Sequence, residues 1–170
     1  EQLIDDPKSR SCGRSVIGCA ITICAPEGHA LPTGEVGEVV VSGANIMKGY
    51  WNKAEQTAAV LKGGGYWTGD LGYLDTEGYL FLVDRSKDMI IRGGVNIYPQ
   101  EIEETLMAHP AVAEAAVVGW PSKEFNEEIA AFVILKTDVE TADLIRWCND
   151  GLARYKVPKQ IYILNEFPRT

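Results

Sequence analysis

Apolar and polar residues alternate over short stretches of residues 12–84, which matches the two-residue period of β-strands. Residues 36–41 are a representative stretch. Turn signals such as Pro26-Glu27-Gly28 and Glu77-Gly78 separate the stretches from one another. The pattern predicts a small, mostly antiparallel, β-barrel-like subdomain.

One helix interrupts this strand pattern. Asn52 is a suitable N-cap residue, and Glu55 follows it by three positions, which is the spacing of a capping box. Three consecutive glycines, at 63–65, disfavour continuation of the helix. We therefore expect a helix that begins after Asn52, includes Leu61 and ends before the glycines.

The periodicity changes after Arg85, where helical and strand-like segments begin to alternate. Pro99 is well placed as the first residue of a helix, because its fixed φ suits that position and its missing N–H costs nothing there. Ile102, Leu106 and Met107 follow at helical spacing and predict an apolar stripe.

The segments after this helix predict a compact α+β lobe with a small sheet and two helices. Two runs rich in valine and isoleucine are too short for typical helices and predict buried strands, and a helix and a last strand follow them. In chain order these four segments are 112–119, 129–135, 141–154 and 160–164. The fold class is thus α+β, with one domain at 1–85 and a second at 86–170.

Composition and charge narrow the possible partners. The chain is 46% hydrophobic and 24% charged, as expected for a packed globular protein, and its net charge of -8 disfavours binding to nucleic acid or anionic lipid. No apolar run approaches the ~20 residues that cross a bilayer. The four cysteines lack CxxC spacing, which favours reduced thiols in a cytoplasmic protein.

The first segment with candidate chemistry is Tyr66-Trp67-Thr68-Gly69-Asp70-Leu71-Gly72. A carboxylate beside a glycine turn can accept hydrogen bonds from the two neighbouring hydroxyls of a ribose. Residue spacing alone favours the simpler interpretation, in which Asp70 only stabilises a turn.

The second candidate segment, residues 84–94, carries five charged residues at the boundary between the two patterns and ends in Gly93-Gly94. Glycines at such a position allow a ligand to approach the backbone closely. The alternative is a solvated linker followed by an ordinary hairpin turn.

Together with Gly34-Glu35-Val36-Gly37-Glu38 and Gly49-Tyr50-Trp51-Asn52, these segments resemble the adenylate-forming superfamily. This superfamily includes acyl-CoA synthetases, coumarate ligases, adenylation domains of peptide synthetases and beetle luciferase. The resemblance extends from about Cys12 to Thr170, and several motifs occur in the family's order.

The resemblance implies roles for six residues. Asp70 matches the aspartate that binds the ribose hydroxyls of ATP or AMP, and Arg85 matches the boundary arginine that also reaches the nucleotide. Lys87 lies at the hinge about which the small C-terminal domain rotates between two catalytic poses. Arg92-Gly93-Gly94 matches the loop that faces the pantetheine tunnel in the thioester-forming pose.

The segment Gly93 to Glu103 is more similar to acyl-CoA synthetases than to peptide-synthetase adenylation domains. The resemblance therefore implies a ligase that uses ATP, Mg²⁺, coenzyme A and a small carboxylic acid, with a fatty acid as the first guess. An adenylation domain that loads a carrier protein and a non-catalytic binding module remain alternatives.

Some family features are not in the chain, and one motif differs. The family's phosphate loop lies upstream of Glu1, and its catalytic lysine would follow Thr170, so the chain alone is expected to be inactive. Phe125-Asn126-Glu127 stands where relatives have an aromatic residue, a glycine and a glutamate. Because asparagine adopts the left-handed backbone conformation at modest cost, we expect this turn to be preserved.

Overall fold

The structure is a computed structural model in which residues 7–168 are described. Arg169 and Thr170, which end the segment that resembles the family's final motif, lie outside the described residues. The chain divides into two compact units, and the division falls between Lys87 and Asp88.

The first unit is built on a five-stranded antiparallel sheet. The central strand is β4, which pairs with β2 along one edge and with the shorter β3 and then β5 along the other. Ile23, Val39 and Leu80 form the main core cluster of this unit. The strands are β1 (Cys19–Cys24), β2 (Gly37–Gly43), β3 (Leu61–Lys62), β4 (Gly65–Leu74) and β5 (Leu80–Arg85).

The helix of the first unit, α1 (Ala54–Val60), differs at both ends from the prediction. Its N-cap is Lys53, whose side chain makes no capping hydrogen bond, whereas Asn52 has a φ of 52°. A left-handed Asn52 turns the chain before the helix begins, so the predicted capping box with Glu55 is wrong. Leu61 leaves the helix because it pairs with Tyr66 in the sheet.

The second unit combines a five-stranded sheet with two helices. Strand β9 is the central strand, and β8 pairs with it antiparallel along one edge. Along the other edge, β10 pairs with β9 in parallel and β6 pairs with it antiparallel. The elements are β6 (Ile90–Arg92), β7 (Val95–Ile97), α2 (Pro99–Met107), β8 (Val112–Ser122), β9 (Asn126–Leu135), α3 (Thr141–Gly151), a 3-10 turn (Arg154–Lys156) and β10 (Gln160–Ile163). The predicted α+β class is confirmed.

The two helices cover one face of this sheet through narrow apolar stripes. In α2, Ile102 and Leu106 are completely buried, and in α3 the same holds for Leu144 and Cys148. Pro99 is the first residue of α2, as predicted, but Met107 is 45% exposed and does not belong to the buried stripe. Residue 107 follows Leu106 by 100° of helical rotation, which turns its side chain away from the sheet.

Strand β8 is not buried on both sides, contrary to the prediction from its continuous apolar sequence. Val117 is 6% exposed, whereas its neighbour Val118 is 41% exposed. Successive side chains of a strand point to opposite faces, so only one face of β8 contacts the helices.

Among the described residues, no helix is long and apolar enough to cross a membrane.

Candidate functional site

Asp70 lies within strand β4, as the last residue of a bulge, and not in a simple turn. The register places Val40 opposite Trp67 but Glu38 opposite Leu71, so Thr68, Gly69 and Asp70 together face only Val39. Such extra residues bend a strand and redirect its side chains, and they are frequent beside functional sites.

Hydrogen bonds fix the shape of this bulge. The Thr68 hydroxyl donates to the Val39 carbonyl at 2.8 Å, and the Gly69 N–H donates to the Glu38 carboxylate at 3.1 Å. Gly69 has a φ of 78°, a conformation that is costly for residues with a Cβ. The sequence Thr-Gly-Asp thus supplies the hydroxyl, the backbone freedom and the carboxylate that this geometry needs.

Asp70 faces Arg85 across the two strands. The two residues are direct partners in the β4–β5 register, and the Arg85 Nε lies 3.3 Å from the Asp70 Oδ1. Their side chains are 60% exposed for Arg85 and 33% exposed for Asp70. An ion pair this exposed contributes at most about 1 kcal/mol to stability, so a ligand can replace it at little cost.

The motif at Gly49–Asn52 lies beside the start of the same strand. A hydrogen bond with Tyr50 is the main reason that the pKa of the Tyr66 phenol is raised, with desolvation and the negative charge of Asp70 among the further causes. The Tyr50 N–H donates to the Thr57 hydroxyl at 2.9 Å, which ties this motif to α1. Two motifs that are separate in sequence therefore meet in the first unit.

Lys87 is exposed and lies in the turn that follows β5. It is the last residue of the first compact unit. The Ser86 N–H still donates to the Gly69 carbonyl, at 2.8 Å, so the backbone is attached to the bulge up to the residue before Lys87.

Gly93 and Gly94 form the two-residue connection between β6 and β7. Their φ angles are 59° and 83°, as a type I′ turn requires, and a residue with a Cβ would be strained at either position. The Gly93 N–H donates to the Phe125 carbonyl at 2.8 Å, and Asn126 has a φ of 69°. The expectation of a left-handed Asn126 is confirmed, and its turn holds the glycine hairpin.

Arg92, directly before the glycines, is held by a buried carboxylate. Its Nε and Nη2 donate to the two oxygens of Glu128 at 3.0 and 3.2 Å, and its Nη1 donates to the Tyr155 carbonyl at 3.2 Å. The guanidinium lies 4.7 Å from the centre of the Phe125 ring. Arg92 therefore connects the hairpin to three other segments of the second unit.

Sequence reasoning did not identify Glu128. Only 7% of this residue is exposed, and its carboxylate lies 3.6 Å from the Lys159 Nζ as well as against Arg92. The hydrogen bonds from Arg92 lower the pKa of Glu128, although desolvation acts in the opposite direction. A glutamate directly before the buried run that begins at Ile129 was the available signal, since buried carboxylates need cationic partners.

Replacement of Glu128 with glutamine is expected to destabilise the second unit by about 1–2 kcal/mol at pH 7, because the charge-assisted pair with Arg92 is lost. A carboxyl group whose pKa is lower in the folded than in the unfolded state stabilises the fold at pH values above its unfolded-state pKa. This stabilisation is lost as the pH falls through the folded-state pKa. Urea titrations should therefore show that the difference between variant and wild type shrinks in acid. A constant difference at all pH values would contradict this account.

A further feature of the described part of the chain is the arrangement of its potential metal-binding side chains and its cysteines. Across residues 7–168, no group of three or more His, Cys, Asp or Glu side chains is arranged to hold a metal ion. The four cysteines are free, and burial raises the pKa of the Cys148 thiol to about 11, which keeps it protonated.

Two family models match the chain. The model for AMP-binding enzymes matches residues 2–51, and the model for the C-terminal domain of AMP-binding enzymes matches residues 101–170. These ranges fall on either side of the division after Lys87.

Named relatives agree with these matches. The chain is 45% identical to a 2-succinylbenzoate–CoA ligase of Bacillus mycoides over 162 residues, which cover 95% of the chain and 34% of the ligase. It superposes with a TM-score of 0.90 and 41% identity on o-succinylbenzoate CoA synthetase from Bacillus subtilis in complex with the acyl-adenylate intermediate, again over 95% of the chain and 33% of the synthetase. A further structure of that synthetase contains ATP and a magnesium ion.

A third relative is the amide bond synthetase McbA from Marinactinospora thermotolerans, with a TM-score of 0.85, 37% identity and coverage of 95% of the chain and 34% of McbA. The chain thus spans about a third of the length of these relatives. The order of the motifs, the two family models and the identity over nearly the whole chain place it in one family. It belongs to the AMP-binding, adenylate-forming enzymes.

Proposed function

We propose that the chain is part of an ATP-dependent, AMP-forming carboxylic acid:CoA ligase. The observation that carries the proposal is the bulge of β4, which presents the Asp70 carboxylate beside the Arg85 guanidinium, in a chain that resembles CoA ligases over 95% of its length. In this reaction the acid attacks the α-phosphate of ATP and pyrophosphate leaves. The thiol of coenzyme A then attacks the acyl carbon and AMP leaves.

Asp70 binds the nucleotide through its ribose. The two oxygens of a carboxylate can each accept a hydrogen bond from one of two adjacent hydroxyls, and the bulge leaves a third of this side chain exposed for that purpose. Arg85, which is 60% exposed, supplies positive charge at the same place and can turn from Asp70 towards the nucleotide.

Lys87 is the hinge of the two-step reaction. Adenylation needs cationic groups around the phosphate, whereas thioester formation needs those groups removed and the thiol admitted, so one mobile domain can serve both steps. The position of Lys87, exposed and last in the first compact unit, supports this role. A long polar side chain can remain solvated while the backbone dihedrals change.

The hairpin at Arg92-Gly93-Gly94 faces coenzyme A in the second step. Its two glycines carry no side chains, so the narrow pantetheine chain can approach their backbone closely.

The acid is the least defined part of the proposal. The named ligases act on 2-succinylbenzoate, and none of the relatives described above supports the fatty acid that the sequence first suggested. We therefore propose 2-succinylbenzoate as the first acid to test, with medium- and long-chain fatty acids as alternatives.

Assay of the full-length protein tests the function. With ATP, Mg²⁺, coenzyme A and 2-succinylbenzoate, we expect AMP and the acyl-CoA to form in equal amounts, as measured by liquid chromatography and mass spectrometry. Fatty acids are the parallel substrates, and a carrier protein that bears a pantetheine arm is the parallel acceptor. Acylation of the carrier protein but not of coenzyme A would refute the assignment of the acceptor.

A further inference from the structure

The glycine hairpin of β6 and β7 is too small to fix its own position. Strands β6 and β7 have three residues each, and an isolated hairpin of this size is marginally stable at best. Apart from its pairing with β7, strand β6 pairs with β9 at a single register position, where Arg92 lies opposite Asn126. Side-chain contacts must therefore contribute much of what holds the hairpin in place.

Two consecutive carboxylates at the start of β9 provide such contacts. Glu127 accepts a hydrogen bond from the Ile91 N–H at 2.6 Å, and Glu128 accepts two from the Arg92 guanidinium. Because adjacent strand residues point to opposite faces, the two carboxylates hold the hairpin from both sides of the sheet. Of the two, only Glu128 is bonded to a side chain that itself borders the glycines.

The contacts of the Arg92 guanidinium restrict its position and orientation. Two parallel hydrogen bonds between a guanidinium and a carboxylate define an orientation as well as a distance. The Tyr155 carbonyl and the Phe125 ring restrict the same guanidinium further, and its side chain is only 23% exposed. Rotation of Arg92 would leave the buried Glu128 with the more distant Lys159 as its cationic partner among the described residues, which is costly.

We propose that Glu128 is a positioning residue for the thioester-forming step, which acts through Arg92 to hold the Gly93-Gly94 turn where coenzyme A passes. This inference rests on the proposed function. Glu128 acts through Arg92 on the hairpin assigned to coenzyme A, so its removal is expected to alter the use of coenzyme A and to leave the formation of the acyl-adenylate intact.

The main test is a double-mutant cycle in the full-length enzyme with Glu128→Gln and Arg92→Gln. We expect Glu128→Gln to raise the KM for coenzyme A about 5–10-fold, which corresponds to about 1–1.4 kcal/mol of binding. Acid-dependent pyrophosphate exchange, which reports adenylation alone, should change less than twofold. In the Arg92→Gln background, Glu128→Gln should have no further effect, because the residue through which it acts is already absent.

Conservative and neighbouring variants supply the controls. Glu128→Asp keeps the charge and should restore part of the affinity for coenzyme A. Glu124→Gln makes the same chemical change at an exposed position of the adjoining turn and should leave both half-reactions within twofold of wild type. Additive effects of Glu128→Gln and Arg92→Gln would overturn the proposal, as would an unchanged KM for coenzyme A in Glu128→Gln.

Amide hydrogen exchange of the 170-residue chain separates this inference from the proposed function. Exchange at residues 91–97 should be at least tenfold faster in Glu128→Gln than in wild type, with little change in the Glu124→Gln control. If the wild-type enzyme makes the adenylate but no acyl-CoA, the proposed function fails whatever the exchange result. Unchanged exchange in Glu128→Gln would overturn the positioning role even in an active CoA ligase.

Discussion

Replacement of Leu106 with alanine is expected to lower the free energy of unfolding of the second unit by about 3 kcal/mol, within the range for leucine removed from a packed core. Leu106 is completely buried on the inner face of α2, in one cluster with Ile102, Val112 and Leu144. The loss has two parts, the transfer free energy of the removed methyl groups and the cavity that rigid neighbours leave unfilled.

Denaturant titration followed by intrinsic tryptophan fluorescence, to which Trp147 contributes, measures this effect. Trp147 belongs to α3, and its indole N–H donates to the Thr105 carbonyl of α2 at 2.8 Å, so its emission reports on the contact between the two helices. Met107→Ala is the matched control, because Met107 is the next residue of the same helix and is 45% exposed. We expect a loss below about 1 kcal/mol for this variant. Equal losses for the two variants would show that the core is not centred on Leu106.

The contrast between Leu106 and Met107 illustrates what sequence periodicity can predict. Buried apolar residues at helical spacing identified α2, and Pro99 fixed its first residue, because both signals depend on local geometry. Periodicity cannot define the width of the buried stripe, which depends on the sheet that the helix contacts. Strand β8 has the same limitation, since an apolar sequence does not reveal that Val118 lies on the exposed face.

Backbone conformations that depend on tertiary contacts were harder to predict. Asn52 matches the N-cap pattern, yet it adopts a left-handed conformation and Lys53 becomes the cap. Asn126 was predicted correctly because a glycine in relatives indicated the required φ. Asp70 looked like a turn residue, since a bulge in β4 can be recognised only from the register with β2.

The buried ion pair was the largest omission of sequence reasoning about the candidate site. Arg92 and Glu128 are 36 residues apart in sequence. Neither residue taken alone shows from the sequence whether its charged group is paired with another or solvated. Their contact results from the pairing of Arg92 with Asn126, a single point of register between β6 and β9. Long-range pairing of this kind depends on the whole sheet and not on local sequence.

Replacement of Asp70 with alanine in the full-length enzyme is expected to lower kcat/KM for ATP in adenylation by about 100-fold or more. Hydrogen bonds to a charged group contribute about 1.5–3 kcal/mol each, so two ribose hydroxyls bound by Asp70 account for at least 3 kcal/mol. Pyrophosphate exchange at varied ATP concentration measures this loss. Stability should change by less than about 1 kcal/mol, because the pair with Arg85 is exposed.

Asp75→Ala, in the turn that follows β4, is expected to show the opposite pattern, with a loss of stability and little loss of activity. The Asp75 carboxylate accepts hydrogen bonds from the Glu77 and Tyr79 N–H groups at 2.9 Å each, so its removal destabilises the turn between β4 and β5 by about 1–2 kcal/mol. We expect kcat/KM for ATP to remain within twofold of wild type for this variant. If Asp70 binds the nucleotide, Asp70→Ala should lose activity with little loss of stability, and Asp75→Ala should lose stability with little loss of activity. If Asp70→Ala instead lost stability and activity in the proportion seen for Asp75→Ala, Asp70 would be a structural residue of the bulge and Arg85 would have to bind the nucleotide without it.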